Sequence, residues 1–320
     1  MGEFDLIARY FTRPVQRAAL GAGDDCALLR PAPGMQLAVS SDMLVEGRHF
    51  LSTVAPQRLG HKALAVNLSD LAACGAVPLA FTLALALPRA DDAFLAPFAA
   101  GLLALADQHD IELVGGDTTA GPLNICITVF GEVPPGQALL RSGACAGDEL
   151  WVSGALGDAR LALEVFRGAL VLKGEDFELV RRAMEMPTPR VALGQALRGV
   201  ASSAIDISDG LLGDLGHILR SSNAGRGVAA LIELDALPRS NVLAAQAPAV
   251  QTLCLLTGGD DYELLFTAPE AQHDAVRDAG RRAGVAVTRC GRIVDGAGAR
   301  VVDGQGRDVS TSMRGFDHFA

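Results

Sequence analysis

Four times along this chain a short apolar run gives way to a turn that presents a carboxylate: Leu37-Ala38-Val39-Ser40-Ser41-Asp42, Leu113-Val114-Gly115-Gly116-Asp117, Ile205-Asp206-Ile207-Ser208-Asp209-Gly210 and Leu255-Leu256-Thr257-Gly258-Gly259-Asp260-Asp261. The runs read as strands, each ending where its acid begins. Further strands are expected over 79–87, 125–133, 149–152, 262–267 and 285–294. Between them lie helical stripes: Phe4, Ile7, Tyr10 and Phe11; Leu64, Leu68 and Leu71; Phe94, Phe98, Leu102 and Leu105; Leu212, Leu215, Ile218 and Leu219. More helices are expected near 176–185 and 189–200. Strands alternating with helices predict an α/β (α+β) fold, whose strand ends line the crevice where ligands bind. Asp and Gly punctuate turns everywhere, but carboxylates gathered at one crevice repel one another unless they share a cation. Oxygen donors from Asp and Ser select a hard ion such as Mg²⁺, often held jointly with substrate phosphates.

With 320 residues the chain is long enough for two cores, and Pro134-Pro135-Gly136 is the strongest break, predicting domains over 1–136 and 137–320. A net charge of −10, with Lys62 and Lys173 the only lysines, argues against a nucleic-acid or anionic-membrane partner, since both need clustered cations. The most apolar stretch, 77–87, contains Pro78 and falls far short of the roughly 20 residues of a membrane span. The start Met1-Gly2-Glu3-Phe4-Asp5-Leu6 has no signal-peptide character, so a cytoplasmic location is expected. The cysteines at 26, 74, 126, 145, 254 and 290 form no Cys-x-x-Cys pair and receive no role.

Phosphate chemistry without the usual phosphate device is the next inference. Neither lysine follows a glycine, which excludes a P-loop, and protein-kinase signatures are missing. If ATP is the donor, metal ions on aspartates must carry most of the charge neutralisation, with Arg141 as a bidentate clamp. Asp24-Asp25 after Gly21-Ala22-Gly23 extends the acidic set, as does Asp70, which shares a helix face with Asn67.

The ordered motifs Gly21-Ala22-Gly23-Asp24-Asp25, Ser40-Ser41-Asp42, Lys62 to Asp70, Gly115-Gly116-Asp117-Thr118-Thr119, Arg141-Ser142-Gly143, Asp206-Ile207-Ser208-Asp209-Gly210, Gly258-Gly259-Asp260-Asp261-Tyr262-Glu263-Leu264 and Gly315-Phe316-Asp317-His318-Phe319 resemble the thiamine-monophosphate kinase family. That family falls in the aminoimidazole-ribonucleotide-synthetase-like superfamily. The resemblance implies transfer of the γ-phosphoryl of ATP to thiamine monophosphate, giving thiamine diphosphate. It also implies two domains, an amino-terminal one whose sheet pairs across a homodimer and a carboxy-terminal α/β one that closes over the nucleotide. Carried over by motif, Asp25, Ser40, Ser41, Asp42, Asp70, Asp117, Asp206 and Asp209 would hold Mg²⁺, with Asp42, Asp117 and Asp209 most critical. Gly116, Asp117, Arg141 and Ser208 would contact ATP, while His49, Asp260 and Met313 would contact the thiamine substrate. Departures from the family pattern are Ser41 in place of Thr, Asp260 in place of Glu, and Met313 where an aromatic is usual. No general base is expected, because a phosphate monoester is already a nucleophile at neutral pH. Two other readings stay open on these residues: a related superfamily enzyme with another acceptor, and a noncatalytic Mg-nucleotide-binding protein. His49, Asp260 and the tail argue for the kinase over the first of these.

Overall fold

The computed structural model describes residues 2–223 and 227–310. The chain splits into two compact units, Met1–Leu71 with Ala76–Gly136, and Ala72–Gly75 with Gln137–Ala320.

The first unit contains α1 (Glu3–Tyr10), β1 (Gln36–Val45), α2 (Pro56–Ala73), β2 (Val77–Leu87), α3 (Asp92–Gln108), β3 (Glu112–Ala120) and β4 (Asn124–Val133). Its sheet has the order β1-β4-β2-β3, with β2 and β3 parallel and the other pairs antiparallel. Asp91 caps α3 by accepting the Ala93 N–H at 2.9 Å, as its position before the apolar stripe predicts. Leu64, Leu68 and Leu71 of α2, Leu95, Phe98, Leu102 and Leu105 of α3, and Phe81, Leu83, Leu85, Ile125, Ile127 and Val129 of the sheet are all buried. The alternate strand positions differ: Val39 and Met43 of β1 are 58% and 53% exposed, and Ser41 beside them is exposed too.

Two acids expected at strand ends lie inside strands. Asp42 pairs with Ile127 and the ladder runs on to Val45 opposite Asn124; Asp117 pairs with Ala84 and β3 runs on to Ala120. A hydrogen-bonded neighbour overrides the turn preference of Ser and Gly, because each extra rung satisfies backbone groups that a turn would have to leave to water. The Gly115-Gly116 pair is absorbed beside a register shift between Phe81 and Thr82. Gly116 has φ of +146°, and a Cβ there would sit 1.9 Å from the Leu83 carbonyl oxygen, so only glycine fits.

The second unit contains β5 (Asp148–Ser153), α4 (Asp158–Phe166), α5 (Gly174–Glu185), α6 (Val191–Ala196), β6 (Ser203–Asp206), α7 (Leu211–Ser222), β7 (Val228–Glu233), α8 (Asn241–Ala244), α9 (Pro248–Thr257), β8 (Leu264–Pro269), α10 (His273–Ala283), β9 (Val287–Asp295) and β10 (Gly298–Val302). Its sheet has the order β10-β7-β9-β5-β8-β6. The core gathers Leu150 and Val152 of β5, Leu161 of α4, Leu215 and Ile218 of α7, and Leu255 and Leu256 of α9. Leu255 and Leu256 therefore correct the fourth apolar run: it is the end of a helix that Pro248 opens, not a strand. A short apolar run cannot be told from a buried helix by periodicity. The strand expected from Tyr262 starts instead at Leu264, since Tyr262 has φ of +49°. The helix expected over 189–200 is shorter, Val191–Ala196. Among the described residues no helix is long and apolar enough to cross a membrane.

Candidate active site

In the first unit the acids fall into two groups. Ser40 and Asp42 alternate along one face of β1 and meet Asn67 and Asp70, three residues apart on α2. The Ser40 hydroxyl donates to Asp70 at 2.5 Å, and the Asp42 N–H donates to the Asn67 side chain at 3.1 Å. Asn67 is held in turn by donating to the Ala63 carbonyl at 3.0 Å. Ser41 points to the opposite face, where its hydroxyl lies 2.9 Å from that of Thr128. Beyond β1, the Val45 N–H donates to His49 Nδ1 at 3.0 Å. Because Nδ1 accepts, the neutral ring carries its proton on Nε2.

The other group lines a cleft of about 560 Å³ beside β3, bounded by Ile7 and Phe11, by Gly23, Asp24 and Asp25, and by Gly115, Gly116 and Asp117. Among the described residues no lysine, arginine, histidine or cysteine lines it, so the donors these residues offer a ligand are carboxylate, hydroxyl and backbone groups. This donor set suits a hard cation. Among the described residues, no three of His, Cys, Asp and Glu are close enough to hold a metal by themselves. An ion here would take its remaining ligands from phosphate and water.

In the second unit, Asp206 ends β6 with 5% exposure and Ser208 and Asp209 form the turn into α7. Asp214, in the first turn of that helix, accepts the N–H groups of both Ser208 and Asp209 at 3.1 Å. Burial and then the charge of Asp209 push its carboxyl up to about 7, against the pull of these N–H groups. Against the same turn lies the segment from Gly258: the Asp260 N–H donates to the Ser208 carbonyl at 2.9 Å and the Tyr262 N–H to that of Ile207 at 2.8 Å. Asp260 has φ of +68°, and its carboxylate accepts the Tyr262 hydroxyl at 3.1 Å. Arg141 is exposed. It acts on His217 of α7, whose imidazole is pushed down by burial, then by Arg220 and Arg141, and pulled up by Asp209. Arg141, Asp209 and His217 thus share one electrostatic neighbourhood.

Residues 23–133 match the family model described as AIR synthase related protein, N-terminal domain, and residues 146–304 the one described as AIR synthase related protein, C-terminal domain. The chain is 46% identical to the thiamine-monophosphate kinase of Salmonella typhimurium, over 100% of this chain and 98% of that one. The chain belongs to the thiamine-monophosphate kinase family. Among solved structures of the family, that from Stenotrophomonas maltophilia is 47% identical with a TM-score of 0.84, covering 93% of this chain and 94% of that one. A second, described as AaThiL complexed with AMPPCP and TMP, is 29% identical with a TM-score of 0.78, covering 91% and 89%.

Within this member of the family, Asp261 and Glu263 of the run Gly258 to Leu264 do structural work. The Asp261 carboxylate accepts the Gly157 N–H through both oxygens, at 3.0 and 2.9 Å, and so caps α4. Its carboxyl is pushed well up by burial. Glu263 pairs with Arg190 and accepts the Ser153 hydroxyl at 2.5 Å. Asp214 is in none of the sequence motifs, and Glu263 stands in one without a role; the first has a readable signal, an acid in the first turn of the helix after Asp209, whereas the partners of the second lie far away in the chain. Met313 lies outside the described residues.

Proposed function

We propose that this chain transfers the γ-phosphoryl group of ATP to the phosphate of thiamine monophosphate, giving thiamine diphosphate. The observation that carries this reading is the 46% identity to a thiamine-monophosphate kinase over the full chain. The complex of the related protein with AMPPCP and TMP supports it, because that pair fits a nucleotide donor and a monophosphate acceptor. On this reading, residues 1–136 bind ATP and metal and form the dimer, and residues 137–320 close over nucleotide and substrate.

The chemistry asks little of a general base. The acceptor phosphate is largely dianionic at neutral pH, and the task is to bring two polyanions into line. Mg²⁺, when bound, would supply neutralisation of the phosphate charge. Asp25, Ser40, Ser41, Asp42, Asp70, Asp117, Asp206 and Asp209 are the residues proposed to hold it, several ions in all; the carboxylates of Asp25 and Asp117 in the lining of the cleft support this for those two. Gly116 is proposed to let the nucleotide approach the β3 backbone, with Asp117, Ser208 and the Arg141 guanidinium as its other contacts. His49 would then offer its Nε2–H, and Asp260 its carboxylate, to the thiamine side. Met313 is proposed there on the family resemblance alone. An unchanged KM for thiamine monophosphate in Met313→Ala would withdraw it.

The deciding assay incubates the protein with ATP, Mg²⁺ and thiamine monophosphate and follows thiamine diphosphate, with free thiamine and another phosphomonoester as controls. Product from thiamine monophosphate alone is expected; equal turnover of the other phosphomonoester would move the protein to a different acceptor. A homodimer through the amino-terminal sheet is also proposed. What supports it is the exposure of Leu37, Val39 and Met43, at 47%, 58% and 53%, along edge strand β1. Light scattering at micromolar concentration should give twice the chain mass, and a fully active monomer would end the proposal.

A further inference from the structure

The carboxylate of Glu112, the first residue of β3, accepts three consecutive backbone N–H groups: Gln16 at 2.6 Å, Arg17 at 2.9 Å and Ala18 at 2.9 Å. Burial alone would raise its pKa, but these three bonds outweigh it and hold the carboxyl below the usual range. Arg17 is fixed again by its guanidinium, which donates to the Pro78 and Asp110 carbonyls at 3.0 Å each. Immediately after this anchored triplet the chain forms a hairpin. The Ala19 N–H donates to the Leu28 carbonyl at 2.8 Å, and Leu28 N–H to the Leu20 carbonyl at 2.9 Å. Val15, Ala18, Ala27 and Leu29 pack its base on Leu79, Ala80 and Val114. Its tip carries Asp24 and Asp25, exposed and lining the same cleft as Asp117.

We propose that Glu112 is a positioning residue, whose carboxylate clamps the base of the 19–28 hairpin so that Asp24 and Asp25 are presented at the cleft that Asp117 lines. The clamp and Asp117 stand on one strand, five residues apart, so β3 acts as a common ruler for both acids. Inward-facing apolar contacts fix the hairpin base in depth, but only directional bonds fix its slide along the strand. A carboxylate meeting three consecutive N–H groups supplies that direction. The inference rests on the reading of this cleft as the metal and nucleotide site.

The test compares wild type, Glu112→Ala and Glu112→Gln. In Gln the side-chain oxygen still accepts from Gln16 and Arg17, while its amide faces the Ala18 N–H as a second donor. Hydrogen exchange should show the amides of 16–18 losing protection in Glu112→Ala and only that of Ala18 in Glu112→Gln. If only about a tenth of Glu112→Ala molecules present the hairpin correctly, the Mg²⁺ concentration for half-maximal turnover rises about tenfold, with kcat at saturating Mg²⁺ within about threefold of wild type. Glu112→Gln should fall between, near threefold. Retained protection of 16–18 in Glu112→Ala overturns the clamp. Lost protection with an unchanged Mg²⁺ requirement overturns the positioning role, as does a loss of kcat that saturating Mg²⁺ does not recover. If wild type itself makes no thiamine diphosphate, the functional reading fails, and hydrogen exchange alone decides whether the clamp exists.

Discussion

Asp42→Asn, Asp117→Asn and Asp209→Asn each lower turnover by about 100-fold or more, the scale of losing a main electrostatic support of a transferring phosphoryl group. Asn keeps the size and one acceptor oxygen but removes the charge, so the loss reports on the cation and not on packing. Asp117 is an exposed side chain on β3. The melting temperature of Asp117→Asn should therefore stay near that of the wild type. Steady-state kinetics with Mg²⁺ varied is the measurement. Near-normal turnover in all three variants sinks the assignment of these carboxylates to metal.

The second large effect is on stability. Arg190, at the start of α6, donates to Glu263 through Nε at 2.7 Å and through a second, shorter bond, and Glu263 is 5% exposed. Arg190→Met leaves that carboxylate buried beside Ser153 with no counter-charge. Breaking a buried pair from one side costs about 3–5 kcal/mol, and a melting temperature about 10 °C lower is expected for a unit of this size. The double variant Arg190→Met/Glu263→Gln removes the orphaned charge and should recover more than half of the loss. Calorimetry on the three proteins decides it. A single variant as stable as wild type means that the carboxyl simply takes up a proton, and the pair then contributes little.

Much of the fold was legible because its signals are local. Asp91 before an apolar stripe caps α3, and Leu64, Leu68 and Leu71 repeat at the helical period and are buried. Strands β7 and β10 passed unnoticed. Both lie on the far side of the second sheet, where Ala229, Ala230 and Gly298 carry little β-propensity and pairing with a neighbour decides the conformation.

Residue type and spacing alone fix which acids this chain possesses and in what order, but for Asp42 and Asp117 they point to turns where the fold has strands. What each acid does follows from the packing around it. Asp24, Asp25 and Asp117 line a cleft; Asp261 caps α4; Asp214 holds the Ser208-Asp209 turn; Glu263 answers Arg190; Glu112 clamps a hairpin. A carboxylate is the same chemical group in all these places. Whether it meets a ligand or a backbone N–H depends on partners up to about a hundred residues away in the chain, which only the packed fold brings within hydrogen-bond range.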